Sequence, residues 1–90
     1  MSRPAIHSSG WISDDLGVYS RLILVTNGGS FEAGVYPCKD KTGHNTGCYT
    51  WDSVLRLQGK APQVHREIAP VEFTKAIWEC QQYGRSKLRG

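Results

Sequence analysis

The run Val18-Tyr19-Ser20-Arg21-Leu22-Ile23-Leu24-Val25-Thr26-Asn27-Gly28-Gly29-Ser30-Phe31-Glu32-Ala33-Gly34-Val35-Tyr36 sets the architecture of this chain. From Val18 to Thr26 it is rich in β-branched and aromatic residues. Leu22 to Val25 is apolar on both side-chain parities, the pattern of a central strand covered on both faces or half covered by a helix. Asn27-Gly28-Gly29 supplies residues that tolerate positive φ, the chemistry of a tight hairpin turn. Ser30 to Tyr36 then alternates, with Phe31, Ala33 and Val35 on one face and Glu32, Gly34 and Tyr36 on the other. That alternation predicts a half-buried antiparallel partner strand.

Toward the C-terminus, Pro37 ends the pairing or sits at an edge, because it has no N–H to donate to a ladder. Lys39 to Gly47 contains two glycines and no apolar residue, so an exposed loop is expected there, flanked by Cys38 and Cys48. Cys48-Tyr49-Thr50-Trp51 resumes strand character. Asp52 to Gln58 fits either an extension of that strand, through Leu55 and Leu57, or a short helical turn between Asp52 and Gly59; the alternation favours strand. Gly59-Lys60-Ala61-Pro62 is a turn, and the polar stretch Gln63 to Ile68 reads as a short edge segment or a loop. The last element is a helix. Pro70 suits its first position, Phe73, Ala76, Ile77, Cys80 and Gly84 recur at helical spacing, and Gly84 stands at the C-cap after Tyr83.

Toward the N-terminus, residues 1–10 are rich in Ser, Gly and Pro without periodicity and read as a flexible arm. Trp11 and Ile12 form a short edge strand or an anchor for that arm, and Asp14-Asp15-Leu16-Gly17 reads as a turn. The expected fold is therefore a small α+β domain over residues 11–84, an antiparallel sheet of three to five strands with one C-terminal α-helix packed on one face. Leu22, Leu24, Phe31, Ala33 and Val35 should meet Phe73, Ile77 and Cys80 in its core. Residues 85–90 complete the chain as a basic tail.

Ninety residues allow one domain, burying about 60–65% of the surface exposed by the unfolded chain, which leaves little room for a deep private active site. Eleven Lys and Arg oppose eight Asp and Glu, but Arg85, Lys87 and Arg89 account for the excess: without them eight cations face eight anions. The body thus lacks the surplus of a dedicated phosphate-binding surface. The first ten residues lack the apolar core of a secretory signal, and Leu22-Ile23-Leu24-Val25 is far too short to cross a bilayer, so a cytoplasmic protein without a membrane partner is expected. An odd cysteine count in such a compartment argues for three thiols rather than a disulfide framework.

Four constellations bear on chemistry. Cys38, His44 and Cys48, with His65 or Cys80 as a fourth ligand, are the residue types of a zinc site, but nine residues separate the two cysteines where structural zinc sites present a close pair. The same two cysteines could instead face each other across paired strands as a disulfide. A Cys near a His could act as thiolate and base, yet no nucleophile-elbow motif surrounds any cysteine, and no catalytic residue or cofactor is assigned. Lys39, Lys41 and the basic tail, with Tyr36, Tyr49 and Trp51 as stacking platforms, could bind nucleic acid, although Glu32, Asp40 and Asp52 intervene. Finally, Trp11, Trp51 and Trp78 are more tryptophan than so small a core needs, and exposed aromatics anchor protein interfaces. Trp78 lies one position off the helix stripe.

The balance favours a small non-enzymatic binding protein that occupies a protein partner's surface. Phage and mobile-element inhibitors of host defence complexes, anti-CRISPR proteins among them, are chains of this kind. A nucleic-acid-binding accessory protein is the alternative. The expected partner-binding residues are Lys39, Asp40, Lys41, His44, Tyr49, Trp51, Trp78 and Arg85, with loop 39–47 as the recognition surface.

Overall fold

The computed structural model describes residues 5–13, 20–67 and 70–89. Six strands and one helix follow in chain order: β1 (His7–Ser8), β2 (Ile12–Ser13), β3 (Ser20–Thr26), β4 (Gly29–Lys39), β5 (Asn45–Leu57), β6 (Gln63–Arg66) and α1 (Phe73–Arg89). The sheet is antiparallel throughout, in the order β1-β3-β4-β5-β6, with β2 on the same edge of β3 as β1. This is the α+β architecture that the periodicity predicts. The expected turn Asp14–Gly17, together with Val18, Tyr19 and Ile68, falls outside the described residues.

The alternation of β4 and β5 sorts the sheet into two faces. Leu22 and Leu24 of β3, Phe31, Ala33 and Val35 of β4, and Trp51 and Leu55 of β5 are all buried on the side where α1 lies. The helix answers with Ala76, Cys80, Gly84 and Leu88. On the opposite side two rows run across the strands, Arg21-Gly34-Asp52-Arg66 and Ile23-Glu32-Val54-Val64. Here Arg21 and Glu32 form an ion pair, and the Tyr36 hydroxyl donates to Asp52 Oδ2 at 3.5 Å. Among the described residues no helix is long and apolar enough to cross a membrane.

Several expectations are corrected. Within the expected arm, of which residues 1–4 lie outside the described residues, His7–Ser8 pairs with β3; Ile12–Ser13 pairs with it too, as the edge strand expected at Ile12, and the strand count among the described residues is six. The Ser9 hydroxyl also accepts from the Ile23 N–H at 3.0 Å, fastening the segment to an edge that would otherwise be unpaired. Asn27 and Gly28 do not take the left-handed conformation. Glycine matters instead at Gly29, where a Cβ would lie 2.7 Å from the Arg56 carbonyl oxygen and 2.8 Å from Leu57 Cδ2. The requirement is close approach of β5, not a turn geometry.

The helix starts about one turn later than expected and runs on past Tyr83 to Arg89. Val71 both donates to and accepts from the backbone of Tyr49, at 2.9 and 2.6 Å, so Val71 joins the sheet and the helix starts later, at Phe73. Gly84 does not cap it. The helix continues to Arg89, with Leu88 only 8% exposed, so residues 85–89 are helical and not a tail. Phe73, expected in the core stripe, is instead 41% exposed at the helix start.

Candidate functional site

β4 and β5 run for eleven and thirteen residues, far longer than β3, and form a finger; the molecule measures 51 × 23 × 20 Å. Helix α1 begins beside Tyr49, whose ring packs edge-to-face on Phe73 with centroids 4.9 Å apart. Among the described residues no helix lies over the finger beyond Tyr49. Pro37 sits opposite Tyr49, where both Tyr49 backbone groups turn outward to Val71, so the proline deprives the ladder of no bond. The register then shifts between Pro37 and Lys39, where Thr46, Gly47 and Cys48 of β5 face Cys38 alone; the bulge lies on β5, and its Gly47 has φ of 85°.

The fingertip is shorter and more ordered than a nine-residue loop, because Lys39 still pairs with Asn45. Asp40 organises it. Its Oδ1 accepts from the Thr42 N–H at 2.9 Å, the Thr42 hydroxyl at 2.7 Å and the His44 N–H at 3.0 Å. Its backbone N–H donates to the His44 carbonyl at 2.9 Å, and the Gly43 N–H donates to the Asp40 carbonyl at 3.1 Å. The side-chain bonds, the Thr42 hydroxyl first, stabilise the ionised carboxylate and hold Asp40 below the usual carboxylate range. The Thr42 hydroxyl has a single proton, which goes to Asp40, so His44 Nδ1, 2.7 Å away, must be the donor to it. Nε2 is left as the acceptor of the neutral imidazole.

The remaining expected site residues scatter. Lys39, Asp40, Lys41 and His44 are exposed together on the tip. Tyr49 is half-buried at the finger's root. Trp51 is 2% exposed and belongs to the core, so it is not available to a partner. Its indole packs against Tyr83 and His65, with centroids at 5.3 and 5.0 Å, and the imidazole stacks on Tyr83 at 4.5 Å. Trp78 stands out from the helix, 62% exposed, with half-buried Arg85 two turns on along the same side. Trp11 is half-buried against the core.

Sequence reasoning missed two features. Exposure of Phe73 could not be read from the apolar stripe, because periodicity assigns a face and not the point where the helix overhangs the sheet. The His65–Tyr83–Lys87 stack, with Lys87 Nζ 5.5 Å from the Tyr83 centroid, joins β6 to the last helical turns. It has no sequence signal, since His65 and Tyr83 are distant in the chain.

The metal constellation is not assembled. Cys38 and Cys48 are half-buried at the finger's bulge, His44 is on the tip, His65 is in the aromatic stack and Cys80 is in the core. Among the described residues no group of three or more His, Cys, Asp or Glu side chains is placed to hold a metal ion. Burial, with a smaller contribution from the charge of Asp52, pushes the Cys80 thiol up to about 12. No protein-family model, curated protein or solved structure matches this chain.

Proposed function

We propose that this chain is a non-enzymatic binding protein that acts by occupying the surface of a protein partner. The observation that carries this reading is Trp78: a tryptophan 62% exposed on a helix whose opposite stripe is locked into the core. An indole on a rigid mount loses little freedom on binding and buries a large apolar area, which is why tryptophan is enriched among interface anchors. Arg85 on the same side of the helix supplies a bidentate donor at the rim of that patch. The fingertip, with Lys39, Lys41 and His44 displayed on a turn already fixed by Asp40, is a second preorganised contact. Inhibition of a host defence complex in the cytosol, in the manner of an anti-CRISPR protein, is the specific form of this reading; its support is small size and the absence of a catalytic signature in the sequence.

The test is a native pull-down from nuclease-treated lysate, comparing the wild-type chain with Trp78→Ala and with Lys39→Glu/Lys41→Glu. A partner retained through nuclease and elevated salt, and bound at least about 30-fold more weakly by Trp78→Ala, is the expected result, since hot-spot truncation costs about 2 kcal/mol or more. Equal capture by wild type and Trp78→Ala would sink the reading. A nucleic-acid shift that weakens steeply with salt, and whose slope flattens on substitution of Lys39, Lys41 and Arg85, would establish the alternative.

A further inference from the structure

The bulge at the root of the fingertip brings Cys38 and Cys48 to one place. Tyr36 pairs with Thr50 and Pro37 with Tyr49, so the next rung sets Cys38 against the segment that ends at Cys48. One side chain ties the two together: the Thr46 hydroxyl donates to the Cys38 carbonyl at 3.2 Å and accepts from the Cys48 N–H at 3.4 Å. Strand alternation puts both side chains on the face of Tyr36 and Thr50, away from α1. Tyr49 turns both backbone groups toward Val71, so the Pro37–Tyr49 pair is the non-hydrogen-bonded kind; directly beyond it the register shifts, and Thr46, Gly47 and Cys48 stand against the single residue Cys38. Each cysteine is thus the next residue outward from a rung whose Cα atoms lie about 4.5 Å apart, and the Cys38 carbonyl and Cys48 N–H meet at one hydroxyl, a proximity from which a disulfide can close. Both thiols are free and partly accessible, whereas Cys80 is fully buried.

We infer that Cys38 and Cys48 form a reversible dithiol–disulfide site that closes residues 39–47 into a covalent ring at the fingertip. The oxidant is a small-molecule disulfide such as oxidised glutathione. The thiolate of one cysteine attacks a glutathione sulfur, one glutathione thiolate leaves and takes up the proton that the cysteine lost, and a mixed disulfide forms. The second cysteine thiolate then attacks the protein sulfur of that mixed disulfide. The Cys38–Cys48 bond forms, the second glutathione leaves as a thiol, and two cysteine thiols have been oxidised as one glutathione disulfide is reduced. The ring would fix the presentation of Lys39, Lys41 and His44 whatever the identity of the partner, so the inference stands independently of the proposed function.

The full chain, equilibrated in buffers of stepped reduced-to-oxidised glutathione ratio, is quenched with acid, alkylated in denaturant and mapped by mass. Cys38 and Cys48 should lose their alkylation together, a single intramolecular cross-linked peptide should appear and revert with reductant, and Cys80 should remain alkylated throughout. A Cys48→Ser chain, which lacks the resolving thiol, should instead accumulate a stable glutathione adduct on Cys38. Independent titration of the two cysteines as separate glutathione adducts in the wild-type chain would overturn the inference. So would a cross-link that joins two chains or includes Cys80.

Discussion

Gly84 is the residue at which local signal and tertiary packing conflict most sharply. A Cβ there would lie 2.5 Å from Phe31 Cδ1 and 2.6 Å from Cε1, so the missing side chain is the notch that admits a fully buried phenylalanine. In an open helix, Gly→Ala would gain about 1 kcal/mol from propensity. Overpacking against a buried ring costs about 1–3 kcal/mol, so Gly84→Ala should destabilise by up to about 2 kcal/mol net, lowering the urea midpoint with unchanged slope. An increase in stability would show that the Phe31 ring can yield. Cys80 makes a second prediction. Its thiol is held protonated up to about 12, above the 9.0 of a free thiol, so between those values the unfolded chain loses a proton that the folded chain keeps. That contribution to stability is fully present below pH 9.0 and is lost as pH rises toward about 12. Denaturation of Cys80→Ala should show a shallower alkaline decline than wild type, even though its stability at neutral pH is lower.

Among the elements, the helix is the one whose extent the sequence conceals. Its C-terminal residues look like a polar tail because Arg85, Ser86, Lys87 and Arg89 surround a single leucine. Yet Leu88 lies one turn beyond Gly84, on the stripe of Ala76, Cys80 and Gly84 with its four-residue spacing, and it is buried. Lys87 and Arg89 in the last turn also suit the negative end of the helix dipole. Leu88→Ala should cost about 2–3 kcal/mol, the lower part of the range for a core leucine because this one sits at the end of its helix. Thermal melting checks it; a loss under about 0.5 kcal/mol would return residues 85–89 to the status of a tail. The finger is legible as two strands and a polar connection. Its length is not, because Pro37 looks like a terminator unless the outward bonding of Tyr49 to Val71 is known.

Among the described residues, one helix covers one face of the sheet and leaves Trp78, the fingertip and the opposite sheet face outside its contact. Trp78→Ala should leave global stability within about 0.5 kcal/mol, since the indole is mostly in solvent, while abolishing capture of a partner. Loss of fold in that variant, seen as a lowered melting temperature, would assign Trp78 a packing role. The candidate site is only half legible in the chain. Exposure of Lys39, Asp40, Lys41 and His44 follows from an uninterrupted polar run, but a strand aromatic such as Trp51 carries no mark of which face it occupies until the register is set. Its placement opposite Val35, under α1, removes it from any surface.

The class of the fold follows from local pattern alone: period-2 alternation in residues 30–36, an unbroken apolar block at 22–25 and a 3.6-period stripe near the C-terminus admit few arrangements besides a meander with a helix on one face. Those signals are local, and local geometry generates them. Packing between distant segments sets where the helix starts and stops, why Gly29 and Gly84 must be glycine, and which aromatics are buried. Each depends on an atom far away in the chain: the Tyr49 backbone, the Arg56 carbonyl, the Phe31 ring and the Tyr83 ring. No window of neighbouring residues contains those partners, so propensity names the element and packing sets its limits.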